Sequence, residues 1–579
     1  MINNTFRKFK RAITSTINFV ALLLLPVVAS ANSTLYYNVQ GYSLSGPAGA
    51  ESTLVQFEAF AVRDGKIVAV GKTETVTRVA GEVNQRIDLQ GKTVLPGIID
   101  AHGHVLGLGQ TLQLVDLRDA KSEQQAVALV SDFASHNGST ADWILGRGWN
   151  QENWNSRQFP SATSLDEQLN ERPVWLTRVD GHAGWANSKA LELAGITAAS
   201  VSPEGGEIIR DSNGEPTGVL IDNAMNLVEA ISPTESAEQQ RAALKLAFAH
   251  LNQRGITGVH DAGVSAETIA VYQQLAAQNE MPLRVYAMIG ANEPKLKELL
   301  ANGPIETADQ RFTVRSVKIY ADGALGSRGA ALLHPYHDDP QQLGLLVTSP
   351  ENIKALYELI IPYGFQINTH AIGDRANRIA LDAFEHAFVN YGGRNLRHRI
   401  EHAQVVHPDD LSRFKSLNII PSMQPTHATS DKNMAEDRLG KERMQGAYAW
   451  KTLLEQGSII AAGSDFPVEL ADPFFGLHAA VTRQDRDNQP AGGWYPAEAM
   501  TRIEALRSFT LDAAYAAGQE ASLGSLEPGK WADFIVLDQN PFTQAAAKLW
   551  QQQVLATYIA GQKVYSSANE TEETHETAR

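Results

Sequence analysis

Eight short apolar runs recur through this chain, each passing into a polar, glycine-containing loop and then a helical stretch. They occupy residues 97–100, 258–261, 283–286, 317–320, 365–368, 398–401, 418–421 and 459–462. Apolar runs alternating with helices build parallel βα units, and eight is the number that closes a barrel. The pattern predicts an α/β chain whose main domain, 96–504, is a distorted (β/α)8 TIM barrel. An ordinary βα unit takes about 30 residues, and the first two runs are far further apart than that. A lobe is therefore inserted after the first strand, over 117–235, and its segments around Trp143, Trp149 and Trp175 are strand-like and rich in tryptophan. Residues 32–95 and 505–566 carry short strand patterns around turns such as Asp64-Gly65. They predict a small β-sandwich composed from both chain ends. The acidic stretch at 567–579 holds charge with almost no apolar residues and is expected to be disordered.

The first 31 residues differ from the rest. Arg7, Lys8, Lys10 and Arg11 precede an apolar stretch from Phe19 to Val28, and Ala29-Ser30-Ala31 offers a cleavage site. That is the layout of a Sec-type signal peptide, which predicts an exported, periplasmic or secreted protein with no stable membrane association after cleavage. The net charge of −16 disfavours nucleic acid as a partner. With no cysteine in the chain, thiolate ligands and a cysteine nucleophile are excluded, so any metal must sit on nitrogen and oxygen.

Chemistry-bearing residues collect where those runs end. His102 and His104 follow the first; two apart in extended chain, they project to one side about 7 Å from each other. Lys318 lies in the fourth run, and His370, His402 and Asp465 follow the fifth, sixth and eighth. Core histidines would scatter over strands and helices. A collection at the carboxyl ends of barrel strands points to one shared site.

On the motifs 95–104, 180–188, 318–323, 370–374, 399–404 and 463–467, the chain resembles the amidohydrolase superfamily over nearly all of its mature length. Within that superfamily it is similar to the group of YtcJ-like proteins and N-substituted formamide deformylases. The resemblance implies that His102, His104 and Asp465 hold one divalent ion and His370 and His402 a second, with Lys318, carbamylated by carbon dioxide, as the bridge. Zinc suits these donors, and iron(II) or manganese(II) also fits. The implied reaction is hydrolysis of an amide-type, non-peptide carbon–nitrogen bond in a small molecule by a metal-bound hydroxide, with Asp465 as general base and then acid. Deamination, ester or lactone cleavage, and ligand binding without turnover are the alternatives.

The resemblance also makes His182, in the inserted lobe, the expected catalytic donor to the substrate carbonyl or oxyanion. The candidate substrate contacts are Trp149, Trp185, Asn187, Asp322, Arg328 and His427. The base-rate expectation for assembly is a homodimer.

Overall fold

The computed structural model describes residues 33–47, 53–136, 143–233, 235–568 and the backbone of 575–577; the leader-like segment 1–31 lies outside them. The eight apolar runs become eight parallel strands: β1 (Ile98–Gly103), β2 (Ile256–Val264), β3 (Arg284–Gly290), β4 (Phe312–Tyr320), β5 (Gln366–Ala371), β6 (Arg399–His402), β7 (Ile420–Met423) and β8 (Ala461–Ala462). They pair in sequence order from β1 to β8. A parallel bridge from Gly103 to Phe466 brings the last strand's loop back against the first and nearly closes the barrel. Asp100 fastens this seam, its carboxylate accepting the Ser464 N–H at 3.0 Å, the Ser464 hydroxyl at 2.6 Å and the His102 N–H at 3.1 Å. Two glycines make the approach possible: a Cβ on Gly463 would lie 2.5 Å from the His102 nitrogen, and one on Gly103 would lie 2.4 Å from the Phe466 ring.

Both chain ends join in one continuous sheet, where Thr93–Pro96 pairs antiparallel with Phe534–Leu537. Its core is aromatic: Tyr36 stacks on Phe60 at 4.7 Å and Phe534 on Tyr558 at 4.3 Å. Two sequence expectations need correction here. The stretch from 505 was expected to be sheet, but Arg502–Ser508 and Leu511–Ala516 are helices. The small face of Ala513, Ala514 and Ala516 fits closely against Ile99, Ala101, Ile420 and Ala461 of the barrel, which claims the segment for the barrel's outer layer. In the acidic stretch 567–579, expected to be disordered, His575–Thr577 forms a short strand pairing antiparallel with Gln85–Asp88, while 569–574 and 578–579 lie outside the described residues. An open strand edge offers unpaired backbone donors and acceptors, and these override composition.

After β1 the chain leaves the barrel for a six-stranded sheet running from Val115–Asp116 to Pro216–Asp222. Its core contains Trp149, Trp154, Trp185, Val174, Leu176 and Val219. Buttressed in this way, the lobe presents its loops to the carboxyl end of the barrel. Among the described residues, no helix is long and apolar enough to cross a membrane.

Candidate metal centre

A cavity of about 990 Å³ opens between the lobe and the carboxyl ends of the strands, and His104, Lys318, His370, His402, His427 and Asp465 line its floor. Asp465 is the hub. Its Oδ1 stands 3.1 Å from His104 Nε2 and 3.6 Å from His102 Nε2, while Oδ2 stands 3.6 Å from His427 Nε2 and 4.0 Å from His402 Nδ1. Lys318 Nζ lies 3.0 Å from His102 Nε2. Asp465 and His402 both take left-handed backbone, φ 63° and 74°. Non-glycine residues seldom do so, and the strain turns both side chains inward at the strand ends.

Each imidazole is held from behind. His102 Nδ1 donates to Glu401 Oε2 at 2.5 Å, His104 Nδ1 to the Ala262 carbonyl oxygen at 3.0 Å, and His402 Nδ1 to Gln424 Oε1 at 2.8 Å. This arrangement leaves Nε2 of all three with a free lone pair, and in His102 and His104 that nitrogen faces Asp465 Oδ1, the orientation that outer partners impose on metal-binding histidines. His370 is turned the other way: its Nε2 faces the Gly323 carbonyl oxygen and Asp322 Oδ1, both at 3.5 Å, which frees Nδ1.

Burial, aided for His370 by His182 and Lys318, holds the pKa values of His370 and His402 well below the ordinary histidine range, so both are neutral donors. Burial pushes the Asp465 carboxyl up, but His102, His104 and His402 outweigh it and keep Asp465 ionised. Burial also brings Lys318 down to about 8, which places a fraction of its amine in the neutral, nucleophilic form. Asp465 Oδ1 and His427 Nε2 are buried without a hydrogen-bond partner. Buried acceptors and neutral imidazoles converging without protons to share fit a divalent cation. Among the described residues, two groupings have ligand atoms close enough for one ion, namely His102, His104 and Asp465, and His402, His427 and Asp465.

A model of the amidohydrolase family matches residues 85–565. The putatively named amidohydrolase YtcJ of Bacillus subtilis is 33% identical over 88% of this chain and 96% of its own. The N-substituted formamide deformylase of Arthrobacter pascens is 30% identical over 87% and 94%. An uncharacterized metal-dependent hydrolase from Pyrococcus furiosus superposes with a TM-score of 0.68 at 30% identity, covering 88% of this chain and all of that one. The chain belongs to the amidohydrolase family. It is a metal-dependent hydrolase of that family, as its sequence motifs imply.

In this amidohydrolase, four of the expected substrate contacts have other work. Trp149 and Trp185 are fully buried in the lobe core, and their indole N–H groups donate to the carbonyl oxygens of Leu176 and Ser161. Asn187 caps the helix Ser188–Leu193 and binds four backbone groups, including the Val174 N–H. Asp322 accepts N–H bonds from Ala331, Ile372 and Gly373, joining the loops after β4 and β5 behind His370, and does not line the cavity. A fifth, Arg328, is paired outside the cavity with Asp338 at 2.9 Å. Tryptophan enrichment and motif membership signalled packing and loop anchoring at these positions.

His427 and His182 do face the cavity. His182 Nδ1 donates to Asp222 Oδ1 at 2.6 Å, and its ring is centred 5.1 Å from that of His370. Burial would lower the His182 pKa, but Asp222 and then Asp180 more than offset it, so the pKa is raised and the imidazolium is favoured. Sequence reasoning missed the residues behind these side chains: Glu401, Gln424, Asp222 and Asp100. Arg399 and Glu401, charges at alternate positions of a buried strand, were a readable sign of a polar barrel interior; Asp222 and Gln424 carried no comparable signal.

Proposed function

We propose that this amidohydrolase is an exported enzyme that hydrolyses amide-type, non-peptide carbon–nitrogen bonds of small molecules. The observation that carries the reading is the Asp465 carboxylate standing between His102 and His104 on one side and His402 on the other. His102, His104 and Asp465 would hold one divalent ion, and His370 and His402 a second, with carbamylated Lys318 between them. Lys318 supports that role because it is fully buried, adjoins His102, and has a neutral amine available to add carbon dioxide. Bound there, zinc, or iron or manganese, supplies Lewis acidity that polarises the scissile carbonyl and acidifies water. Export rests on the charged, apolar and small-residue order of 1–31.

The chain's own groups then divide the proton work. Asp465, ionised and at the centre, takes the proton of the attacking water and delivers it to the leaving nitrogen, which departs as a neutral amine. His182, held by Asp222, donates to the carbonyl oxygen as negative charge grows there.

The test is turnover of a panel of N-substituted formamides, N-acyl amines, cyclic amidines and lactones, scored for amine, ammonia or acid release, with metal content measured in parallel. Amine release, falling by about two to four orders of magnitude in Asp465→Asn, is the expected result. Ammonia release, lactone opening alone, or full activity in that variant overturns the reading.

A further inference from the structure

Several of the charges lining the cavity are matched within the protein. Arg118 pairs with Asp116, and Arg178 donates to Gln151 at 2.7 Å and to Asn150 at 2.9 Å and also pairs with Asp180. Asp261 accepts the Tyr272 hydroxyl at 2.6 Å, Asp431 the Tyr448 hydroxyl at 2.8 Å, and Glu469 the Ser430 hydroxyl at 2.5 Å. Among the described residues Arg147, like Lys121 and Arg486, has no ion-pair partner, and of the three it is Arg147 that adjoins Gly181, next to His182. This half-buried guanidinium lines the cavity from the lobe; Asp465, Asp180 and Glu229 act on it from a distance, yet among the described residues no carboxylate is in ion-pair contact with it. Its Nε is buried without a partner, and Nη2 donates to the Val179 carbonyl oxygen at 3.2 Å.

The backbone makes room for this group. Gly181 has φ 79°, and a Cβ there would lie 3.3 Å from Arg147 Nη2 and 3.9 Å from Nη1. The next residue is His182, whose ring adjoins that of His370. The guanidinium thus sits one residue from the proposed carbonyl donor, on the lobe side of the centre. Arginine stays charged in the folded chain, and a partly buried cation with a buried, unsatisfied Nε gains from an anion in direct contact. A carboxylate matches its planar fork and supplies that contact.

We propose that Arg147 is a specificity-determining residue that holds a carboxylate of the substrate, so that the amides this enzyme cleaves carry an acid group on the part that reaches the lobe. The substrate class, but not the anion contact, rests on the amide-hydrolase reading. The probes are N-formyl ω-amino acids of increasing chain length, each matched with the neutral N-alkylformamide of equal size. Both sets are titrated calorimetrically into the metal-loaded enzyme and assayed for formate release.

For at least one length the acid should bind about tenfold to a hundredfold more tightly than its neutral match. Arg147→Met, which keeps the packed stem, should raise KM for that acid and bring the ratio of acid to neutral affinity close to one, with metal content retained. Arg147→Lys should keep part of the preference. If every acid binds no tighter than its match, or the preference survives in Arg147→Met, the proposal is overturned. Carboxylate-dependent binding without formate release from any probe leaves the Arg147 contact standing and removes the amide-hydrolase reading.

Discussion

Replacing Glu401 with Gln isolates the effect of a charge that acts on the proposed metal ligand His102 without itself facing the ion. Glu401 is fully buried, with Oε2 2.5 Å from His102 Nδ1 and Oε1 4.0 Å from Arg399 Nη1. Burial alone would raise its carboxyl, but His102, Arg399 and Lys318 together hold it below the ordinary range, so it is ionised at neutral pH. The amide oxygen of Gln can still accept the Nδ1 proton, so ring orientation and tautomer survive. The negative charge that makes Nε2 more basic does not, and Arg399 loses its counter-charge. Losing such an outer partner costs about 10- to 100-fold in metal affinity, or about 1.4–2.7 kcal/mol. Metal retained against a chelator of known affinity measures this directly, and melting of the metal-free protein separates it from any folding loss. A carboxylate with a lowered pKa stabilises the fold above its unfolded value, near 4.5, and loses that effect as pH falls further. The metal-free stability difference between native and Glu401→Gln should therefore shrink in acid. Unchanged metal retention by a folded Glu401→Gln protein would refute the assignment of Glu401 as the group that orients and polarises His102.

Three further outcomes follow from the same geometry. Because Asp222 raises the His182 pKa, activity that needs the imidazolium is lost as pH rises through that pKa, and Asp222→Asn should move this alkaline limb to lower pH; a pH profile of kcat/KM with an unmoved limb would exclude the role. If Lys318 is carbamylated, protein equilibrated with isotopically labelled bicarbonate should show one carbamate carbon resonance that Lys318→Met lacks. Trp149→Ala removes a fully buried side chain from the lobe core and should cost about 3–5 kcal/mol of stability in calorimetric melting while metal stoichiometry holds. A direct substrate contact would instead lose affinity at unchanged stability.

The barrel was legible because its signal is local and repeated: each strand is a short buried run, and eight of them in order leave one closed solution. That His104, Lys318, His370, His402 and Asp465 would meet at one cavity floor was legible for the same reason, since carboxyl strand ends converge wherever such a barrel closes. The helices at 502–516 were misassigned because their small apolar faces read alike in sheet and helix until a partner surface is present.

What sequence determined by itself was a topology and an inventory of donors. Tertiary structure decided their use, because it alone sets which groups stand within hydrogen-bond distance. It placed Glu401 behind His102, 299 residues away in sequence, and Asp222 behind His182, 40 away. It also withdrew Trp149, Trp185, Asn187 and Asp322 into packing and backbone hydrogen bonds, and left Arg147, on an ordinary-looking strand, facing the cavity with no carboxylate of the described residues in ion-pair contact. Pattern in a chain reports the burial of a side chain; whether its charge is answered depends on segments that meet only after folding.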